Sequence, residues 1–259
     1  MTIPAVARVV EAHALVYRRT WRGSVISTFF SPVLYLVAMG IGLGSLVDQG
    51  SGQAGLGGLS YLAFLAPGLL VAAAMQTGAG DGSWPVMAGI KWTKTYHATL
   101  ATPVGIRDLV VGHLGWVGLR LTFVSVVFVA IMAAFGAVAS WAALAAVIPA
   151  VLTGLAFAAA TTAYAAYLDS DTGLSTLFRF GIVPMFLFSG TFFPISSLPA
   201  PLEFIAWLTP LWHGVTLCRD LTLADVSFGP DLAHLAYLLA CVTIGLLLAR
   251  TTYRKRLVV

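Results

Sequence analysis

Long apolar runs separated by short polar joints make up most of the chain. Six of these runs have about twenty residues or more with almost no charge, and a membrane-crossing helix needs about 20 apolar residues at about 1.5 Å rise each. The pattern predicts an all-α integral membrane protein with six transmembrane helices. The predicted spans are residues 25–47, 61–79, 109–136, 141–167, 174–193 and 232–249.

A different helical pattern precedes the first span. Over residues 1–24, apolar side chains such as Val6, Val9 and Tyr17 recur on one side, while arginines occupy the other. This pattern is typical of an amphipathic helix that lies in the membrane interface, with its basic face toward anionic headgroups. The alternative is a solvated leader whose periodicity arises by chance.

The longest polar interruption is residues 89–108, GIKWTKTYHATLATPVGIRD. It mixes two lysines with aromatic residues, Thr, Pro and Gly, a composition that does not suit a membrane span. A short interfacial helix with Trp92, Tyr96 and Leu100 on one side fits this stretch, and Pro103 is placed to end it. The alternative is an interfacial helix that only anchors the loop.

A second irregular region follows the fifth predicted span. Residues 194–231 contain too many prolines for a continuous span and too many apolar residues for a free loop. Short re-entrant or interfacial helices fit this composition best. The residues singled out in this region are Pro194, Trp207, Pro210, Trp212 and His213.

Composition and charge support a membrane protein and predict its orientation. The chain is 59% hydrophobic and 9% charged, against roughly 25% charged residues in soluble domains. Eleven Lys and Arg residues fall in the N-terminal segment, in residues 89–108 and after the last span, whereas Arg219 alone falls on the opposite side. The positive-inside rule therefore places both termini and residues 89–108 in the cytoplasm, and residues 48–60 and 194–231 outside. Because orientation accounts for the formal net charge of +4, no nucleic-acid partner is predicted.

The sequence lacks the motifs of an energised or catalytic site. It contains no G-x-x-x-x-G-K-[ST] phosphate loop and no H-E-x-x-H zinc motif. Its acidic residues fall at predicted span edges or in loops, unlike the mid-membrane acids of ion-coupled carriers. Cys218 and Cys241 suggest neither a disulfide framework nor a metal site. We therefore expect a chain that is not an enzyme by itself, holds no cofactor or metal, and takes its energy from another polypeptide.

The alternative function is an ATP-independent membrane enzyme or scaffold that acts on lipids. In that case His213, Arg219 and Asp220 would gather at a lipid phosphate on the outer side. The simpler interpretation, that the same residues anchor a re-entrant helix in the interface, is the one that this spacing favours.

Candidate substrate-path residues lie within the predicted spans. Arg120 is costly inside a membrane, so it faces the translocation path, pairs with a nearby acid, or extends to the cytoplasmic surface. Phe180, Phe188 and Phe192 belong to an aromatic cluster on the fifth span, where ring faces can stack on sugars or flank acyl chains. Contact with lipid or core packing is the alternative for each of these rings.

Three segments resemble the type-2 ABC exporter permeases, and more narrowly the permeases of nodulation lipooligosaccharide exporters and of related drug or polysaccharide exporters. The family's cytoplasmic coupling segment is similar to KWTKTYHATLATPVGIRDLVVG at Lys91–Gly112. Its fifth span and outer re-entrant region are similar to FLFSGTFFPISSLPAPLEFIAWLTPLWHGVTLCRDL at Phe186–Leu221. Its first span is similar to FFSPVLYLVAMGIGLG at Phe29–Gly44.

The resemblance implies a permease subunit of an exporter in a bacterial inner membrane. Two nucleotide-binding ATPase subunits, which hold ATP and Mg, would power it, and the second permease would be an identical copy or a paralogue. The substrate would be lipid-linked, a glycolipid or an amphiphilic drug-like molecule moving outward. The residues that the resemblance assigns to ATPase coupling are Lys91, Trp92, Lys94, Tyr96, His97, Leu100 and Pro103.

Overall fold

The structure is a computed structural model that describes residues 4–49, 58–139 and 141–258. Regular secondary structure in these residues is entirely helical, which confirms the all-α prediction. Most of the predicted outer loop at 48–60 and the first three residues of the predicted interfacial helix lie outside the described residues.

The described residues form twelve α-helices. In chain order they are α1 (Ala5–Tyr35), α2 (Gly44–Gln49), α3 (Tyr61–Asp81), α4 (Trp84–Met87), α5 (Thr95–Leu100), α6 (Ile106–Ala134), α7 (Val147–Tyr167), α8 (Thr172–Leu177), α9 (Val183–Phe188), α10 (Ala200–Trp207), α11 (Pro210–Leu223) and α12 (Phe228–Leu257). Three π-helical segments connect or extend them, at Leu36–Leu43, Ala88–Trp92 and Phe178–Ile182. Two 3₁₀ turns lie at Trp141–Ala146 and Ile195–Ser197.

Within the described residues, four helical runs are long and apolar enough to cross a membrane. They are Tyr61–Trp92, Ile106–Ala134, Trp141–Tyr167 and Phe228–Leu257. These runs correspond to the second, third, fourth and sixth predicted spans. The six-span prediction is thus supported in part, and the spans at 25–47 and 174–193 stay predictions.

The fifth predicted span is shorter than the sequence indicated. Its helical run covers Thr172–Phe188 and ends five residues before the predicted boundary at 193. Gly190 adopts a left-handed conformation with φ +81°, which an α-helix cannot accommodate, so the chain turns there. At about 1.5 Å per residue the run measures about 25 Å, less than the roughly 30 Å of a bilayer core.

The N-terminal helix also differs from its predicted bounds. α1 passes without a break through the expected boundary between residues 24 and 25, and its π-helical extension leads directly into α2. Gly23 stands at this boundary, but a single glycine costs a helix only about 1 kcal/mol and does not end it. Further along, Gly40 lies against the Leu62 side chain of α3.

α7 is the central helix of the bundle, because α3, α6, α11 and α12 all pack against it. At one crossing the backbone at Gly78 of α3 lies against the backbone at Gly154 of α7. A Cβ atom added to Gly154 would lie 2.8 Å from the Ala74 carbonyl oxygen. Small residues at this crossing therefore allow the two backbones to approach closely, as is typical of membrane helices.

Candidate functional site

The predicted coupling segment, residues 89–108, forms a bent connection between α4 and α6. The π-helical segment Ala88–Trp92 comes first, and Lys94 then turns the chain in a left-handed conformation with φ +53°. The short helix α5 follows and ends at Leu100, three residues before Pro103. The Asp108 carboxylate accepts a hydrogen bond of 3.1 Å from the Gly105 backbone N–H and so caps the start of α6.

Tyr96 fastens this segment to the last helix. Its side chain is only 6% exposed, and its ring lies 5.8 Å from the ring of Tyr253 on α12, measured between centroids. The Gly89 backbone runs alongside, because a Cβ atom there would come within 2.8 Å of Tyr96 Cε1. Burial raises the pKa of Tyr96 to about 12, so the phenol stays neutral at physiological pH.

The remaining coupling candidates are more accessible. Trp92 is 60% exposed, Lys94, His97 and Pro103 are exposed, and Leu100 is half-buried. Trp92 and Tyr96 therefore do not share one face, contrary to the sequence interpretation. The left-handed residue between them turns the chain, so a single helical periodicity does not extend across both.

Lys91 ties the segment to a second place in the protein. Its ammonium group lies 3.1 Å from a carboxylate oxygen of Asp169, in the connection between α7 and α8. The same oxygen accepts a 2.6 Å hydrogen bond from Arg256 at the end of α12. These two cations, Arg256 first, lower the pKa of Asp169 below its ordinary value of 3.8. Asp169 thus joins the coupling segment to the end of α12 and to the connection that follows α7.

A cavity of about 280 Å³ lies between α1, α3, α6 and α9. Two of its walls are single helix faces, because the residues on each repeat at intervals of three or four. The lining residues are Pro32 and Tyr35 from α1, Leu69, Ala73, Gln76 and Thr77 from α3, Arg120, Val124 and Phe128 from α6, and Phe186 from α9.

Arg120 stands at the polar end of this cavity, in an ion pair with Asp81. Its Nη1 atom donates to both carboxylate oxygens, at 2.6 and 2.8 Å, and the two side chains are 26% and 18% exposed. The Tyr17 ring covers the guanidinium, with 5.5 Å between Cζ and the ring centroid. Of the three sequence interpretations, pairing with a nearby acid is the one found. Asp81 was seen in the sequence only as a residue at a span edge.

The fifth-span phenylalanines do not form one surface. Phe180 is 73% exposed, Phe188 is also exposed, and Phe192 lies half-buried beyond the end of α9. Phe192 packs edge-on against Phe186, 5.0 Å between centroids, and it is Phe186 that reaches the cavity. The predicted substrate-path role of Phe180, Phe188 and Phe192 stays a prediction, and Phe186 of the same aromatic cluster is the ring that lines the cavity.

The predicted re-entrant region contains short helices. Pro194 precedes the 3₁₀ turn at Ile195–Ser197, Trp207 ends α10, and Pro210 begins α11. α11 packs inside the bundle, where Gly214 approaches Thr153 of α7.

Two histidines meet beside this region. His213 of α11 and His234 of α12 place their Nδ1 atoms 2.6 Å apart, and Trp212 packs edge-on against both rings. Arg219, by contrast, donates to the carbonyl oxygens of Phe64 and Gly190. The alternative function requires His213 and Arg219 to gather at one phosphate. Their hydrogen bonds instead lead to different partners.

Similarity to known proteins agrees with this architecture. Residues 5–223 match the family described as ABC-2 type transporter, which is most of the chain. The chain belongs to this family. As an ABC-2 type permease it is the membrane subunit of an ABC transporter.

Relatives of this ABC-2 type protein extend over nearly its whole length. It is 27% identical over 244 residues to Nodulation protein J of Rhizobium meliloti (strain 1021), with 94% of this chain and 90% of that protein aligned. It is 29% identical over 247 residues to Nodulation protein J of Rhizobium leguminosarum bv. viciae, covering 94% and 91%. The Inner membrane transport permease YadH of Escherichia coli (strain K12) is 25% identical over 207 residues, covering 77% and 72%. No solved structure is a significant match.

Proposed function

We propose that this permease exports a lipid-linked, glycolipid or amphiphilic drug-like substrate outward, and that separate ATPase subunits acting on residues 89–108 drive the movement. The observation that carries the proposal is the two-sided character of that segment. Tyr96 and Lys91 hold it to the rest of the protein, while Trp92, Lys94 and His97 present exposed side chains. Such a segment can receive a force on one side and pass it on from the other.

The inward contacts lead to different parts of the bundle. Through Tyr96 the segment meets Tyr253 of α12, and through Lys91 it meets Asp169 between α7 and α8. A displacement of α5 would therefore be passed to α7, α8 and α12 together. This transmission needs no chemistry in the permease, which fits the absence of a phosphate-loop motif from its sequence.

The complete exporter in this proposal contains two ATPase subunits, where ATP and Mg bind, and two permease subunits. The second permease is an identical copy or a paralogue. The complex lies in a bacterial inner membrane, with both termini and residues 89–108 on the cytoplasmic side. The basic residues near these segments support that orientation through the positive-inside rule.

The test is a paired substitution on the exposed side of the coupling segment. The variant W92A/H97A, co-expressed with the cognate ATPase, should retain normal thermal stability but lose most ATPase association and substrate-stimulated hydrolysis. The matched control is Trp141→Ala, because Trp141 is 90% exposed and lies in the turn between α6 and α7, at the far end of α6 from the coupling segment. Pull-down yield and hydrolysis rate measure the effect. Full coupled transport by W92A/H97A would contradict the docking role, and lipid turnover by the purified chain alone would contradict the exporter itself.

A further inference from the structure

We propose that the cavity beside Arg120 binds an anionic amphiphile, with its phosphate on the Arg120 guanidinium and its chain along the apolar wall. This inference rests on the proposed function, since it names the chemical class of substrate that the permease would accept. It also assigns a binding role to the part of the Arg120 guanidinium that the ion pair with Asp81 does not use.

The guanidinium has unused hydrogen-bonding capacity. Both bonds to Asp81 come from Nη1, and Nη2 and Nε donate to none of the side chains that the structure describes. A guanidinium has five N–H donors in a planar fork that matches the oxygens of a phosphate. Because Arg120 also lines the cavity, an anionic group inside it can engage these free donors without first breaking the ion pair.

Polarity changes along the cavity in one direction. Arg120, Gln76 and Thr77 form one end, whereas Leu69 and Phe128 lie toward the other. α3 runs from the apolar end to the polar end and then continues into the coupling segment. In the proposed orientation the polar end therefore faces the cytoplasm. A lipid in the cytoplasmic leaflet has the same arrangement, with its headgroup at the surface and its chain toward the bilayer centre.

The size of the cavity favours a headgroup with the beginning of one chain. Its volume is about 280 Å³. Ligand pockets for complete small molecules begin at about 300 Å³. A two-chain lipid would have to leave most of its apolar part outside, so a single-chain anionic amphiphile is the best probe.

Asp81 sets the affinity in this proposal. It competes with the incoming phosphate for Arg120, because one guanidinium divides its donors between two anions that repel each other. Neutralising Asp81 should therefore strengthen binding, whereas neutralising Arg120 should weaken it. A pair that serves packing alone predicts no such opposite effects.

The experiment measures binding to the purified full-length permease in a neutral detergent by native mass spectrometry. The probes are oleoyl lysophosphatidic acid, its zwitterionic counterpart oleoyl lysophosphatidylcholine, and inorganic phosphate. Arg120→Gln should weaken binding of the anionic lipid by about tenfold or more, which is the loss expected for a charge-assisted hydrogen bond. Asp81→Asn should tighten it by roughly threefold or more, and binding of the zwitterionic lipid, whose single phosphate charge is offset by its choline cation, should change less in both variants.

Charge-matched controls separate the site from general electrostatics. Arg179→Gln removes an exposed arginine from the α8–α9 run, and Asp225→Asn removes an exposed carboxylate after α11. Neither should change the affinity for the anionic lipid. The variant D81N/R120Q removes both charges and keeps the test informative if Arg120→Gln fails to fold, because it should fold and show weakened binding of the anionic lipid.

Several results would overturn the proposal. Equal affinity of the wild type and D81N/R120Q for the anionic lipid would remove Arg120 from the site. If inorganic phosphate competed at the same concentration as the lipid, the apolar wall would contribute nothing to binding. Weaker binding in Asp81→Asn would remove the competition with Asp81. Because no ATPase is present, these failures differ from failure of the proposed function, which appears as uncoupled hydrolysis in the W92A/H97A experiment.

Discussion

Arg120 and Asp81 form an ion pair whose charges are mostly shielded from water. Their side chains are 26% and 18% exposed, so each depends on the other for most of its stabilisation. Arg120→Gln should lower the free energy of unfolding by about 3 kcal/mol, the lower end of the range for breaking a buried pair. Thermal unfolding in detergent, followed by circular dichroism, measures this change.

The double variant provides the internal control for that stability prediction. D81N/R120Q leaves no uncompensated charge, so most of the lost stability should return. If both variants unfold at the same temperature as the wild type, the pair contributes nothing measurable to the fold.

At this scale the sequence led to part of the answer. An arginine within an apolar run must find water or a partner, so the sequence correctly included pairing among its interpretations. It did not identify the partner, because Asp81 lies 39 positions away on another helix and periodicity within one helix carries no information about neighbours. Tyr96 illustrates the same difficulty, since a partly polar aromatic side chain suits either a surface or a core.

Among the helices, the crossing of α3 and α7 can be tested at Gly154 of α7. An added Cβ atom would lie 2.8 Å from the Ala74 carbonyl oxygen, and that backbone atom cannot rotate away. Gly154→Ala should therefore lower the free energy of unfolding by about 2 kcal/mol or more, as overpacking does. Yield and melting temperature of the purified variant measure the effect.

Gly115→Ala is the matched control for Gly154→Ala. Gly115 also lies within a long helix, but a Cβ atom there would meet only Val10 Cγ2 at an ordinary 3.9 Å. This substitution should be neutral or stabilise the helix by up to about 1 kcal/mol, since alanine is the better helix former. Equal losses in both variants would mean that the α3–α7 crossing imposes no special requirement on residue 154.

Run length predicted elements better than their ends. The second, third, fourth and sixth predicted spans correspond to helical runs of sufficient length, because burial of about 20 apolar residues is a strong constraint. The ends moved where local backbone geometry intervened, at Gly190 after α9 and at Lys94 before α5. A left-handed lysine has no reliable sequence signal, since this conformation is uncommon for residues other than glycine, asparagine and aspartate.

For the whole molecule, the coupling segment is joined to distant parts of the chain. Asp169 forms ion pairs with Lys91 of that segment and with Arg256 at the end of α12, two residues that are far apart in the sequence. The sequence indicated that residues 89–108 stand apart in composition, and the family match agrees with a membrane subunit of an ABC transporter. It gave no sign of which residues fasten the segment, because such contacts depend on how the helices assemble.

The contact between His213 and His234 also has a consequence for the whole molecule, which concerns protons. Nδ1 atoms 2.6 Å apart can hold one proton between them, as donor and acceptor, but a second proton would place two cations together. Burial, and then the neighbouring His234, lowers the pKa of His213 from 6.5 to about 4. Between pH 6.5 and about pH 4, His213 is therefore protonated in the unfolded chain but neutral in the folded one.

Stability contributed by His213 should consequently be complete above pH 6.5 and decline as the pH falls toward 4. Melting temperatures of the wild type should drop between pH 7.5 and pH 5, and those of His213→Gln should drop less. Equal pH profiles would show that the imidazole pair has no part in this response. If the pair behaves as expected, acid weakens the contact between α11 and α12. The stability of this part of the permease then depends on the pH of the surrounding compartment.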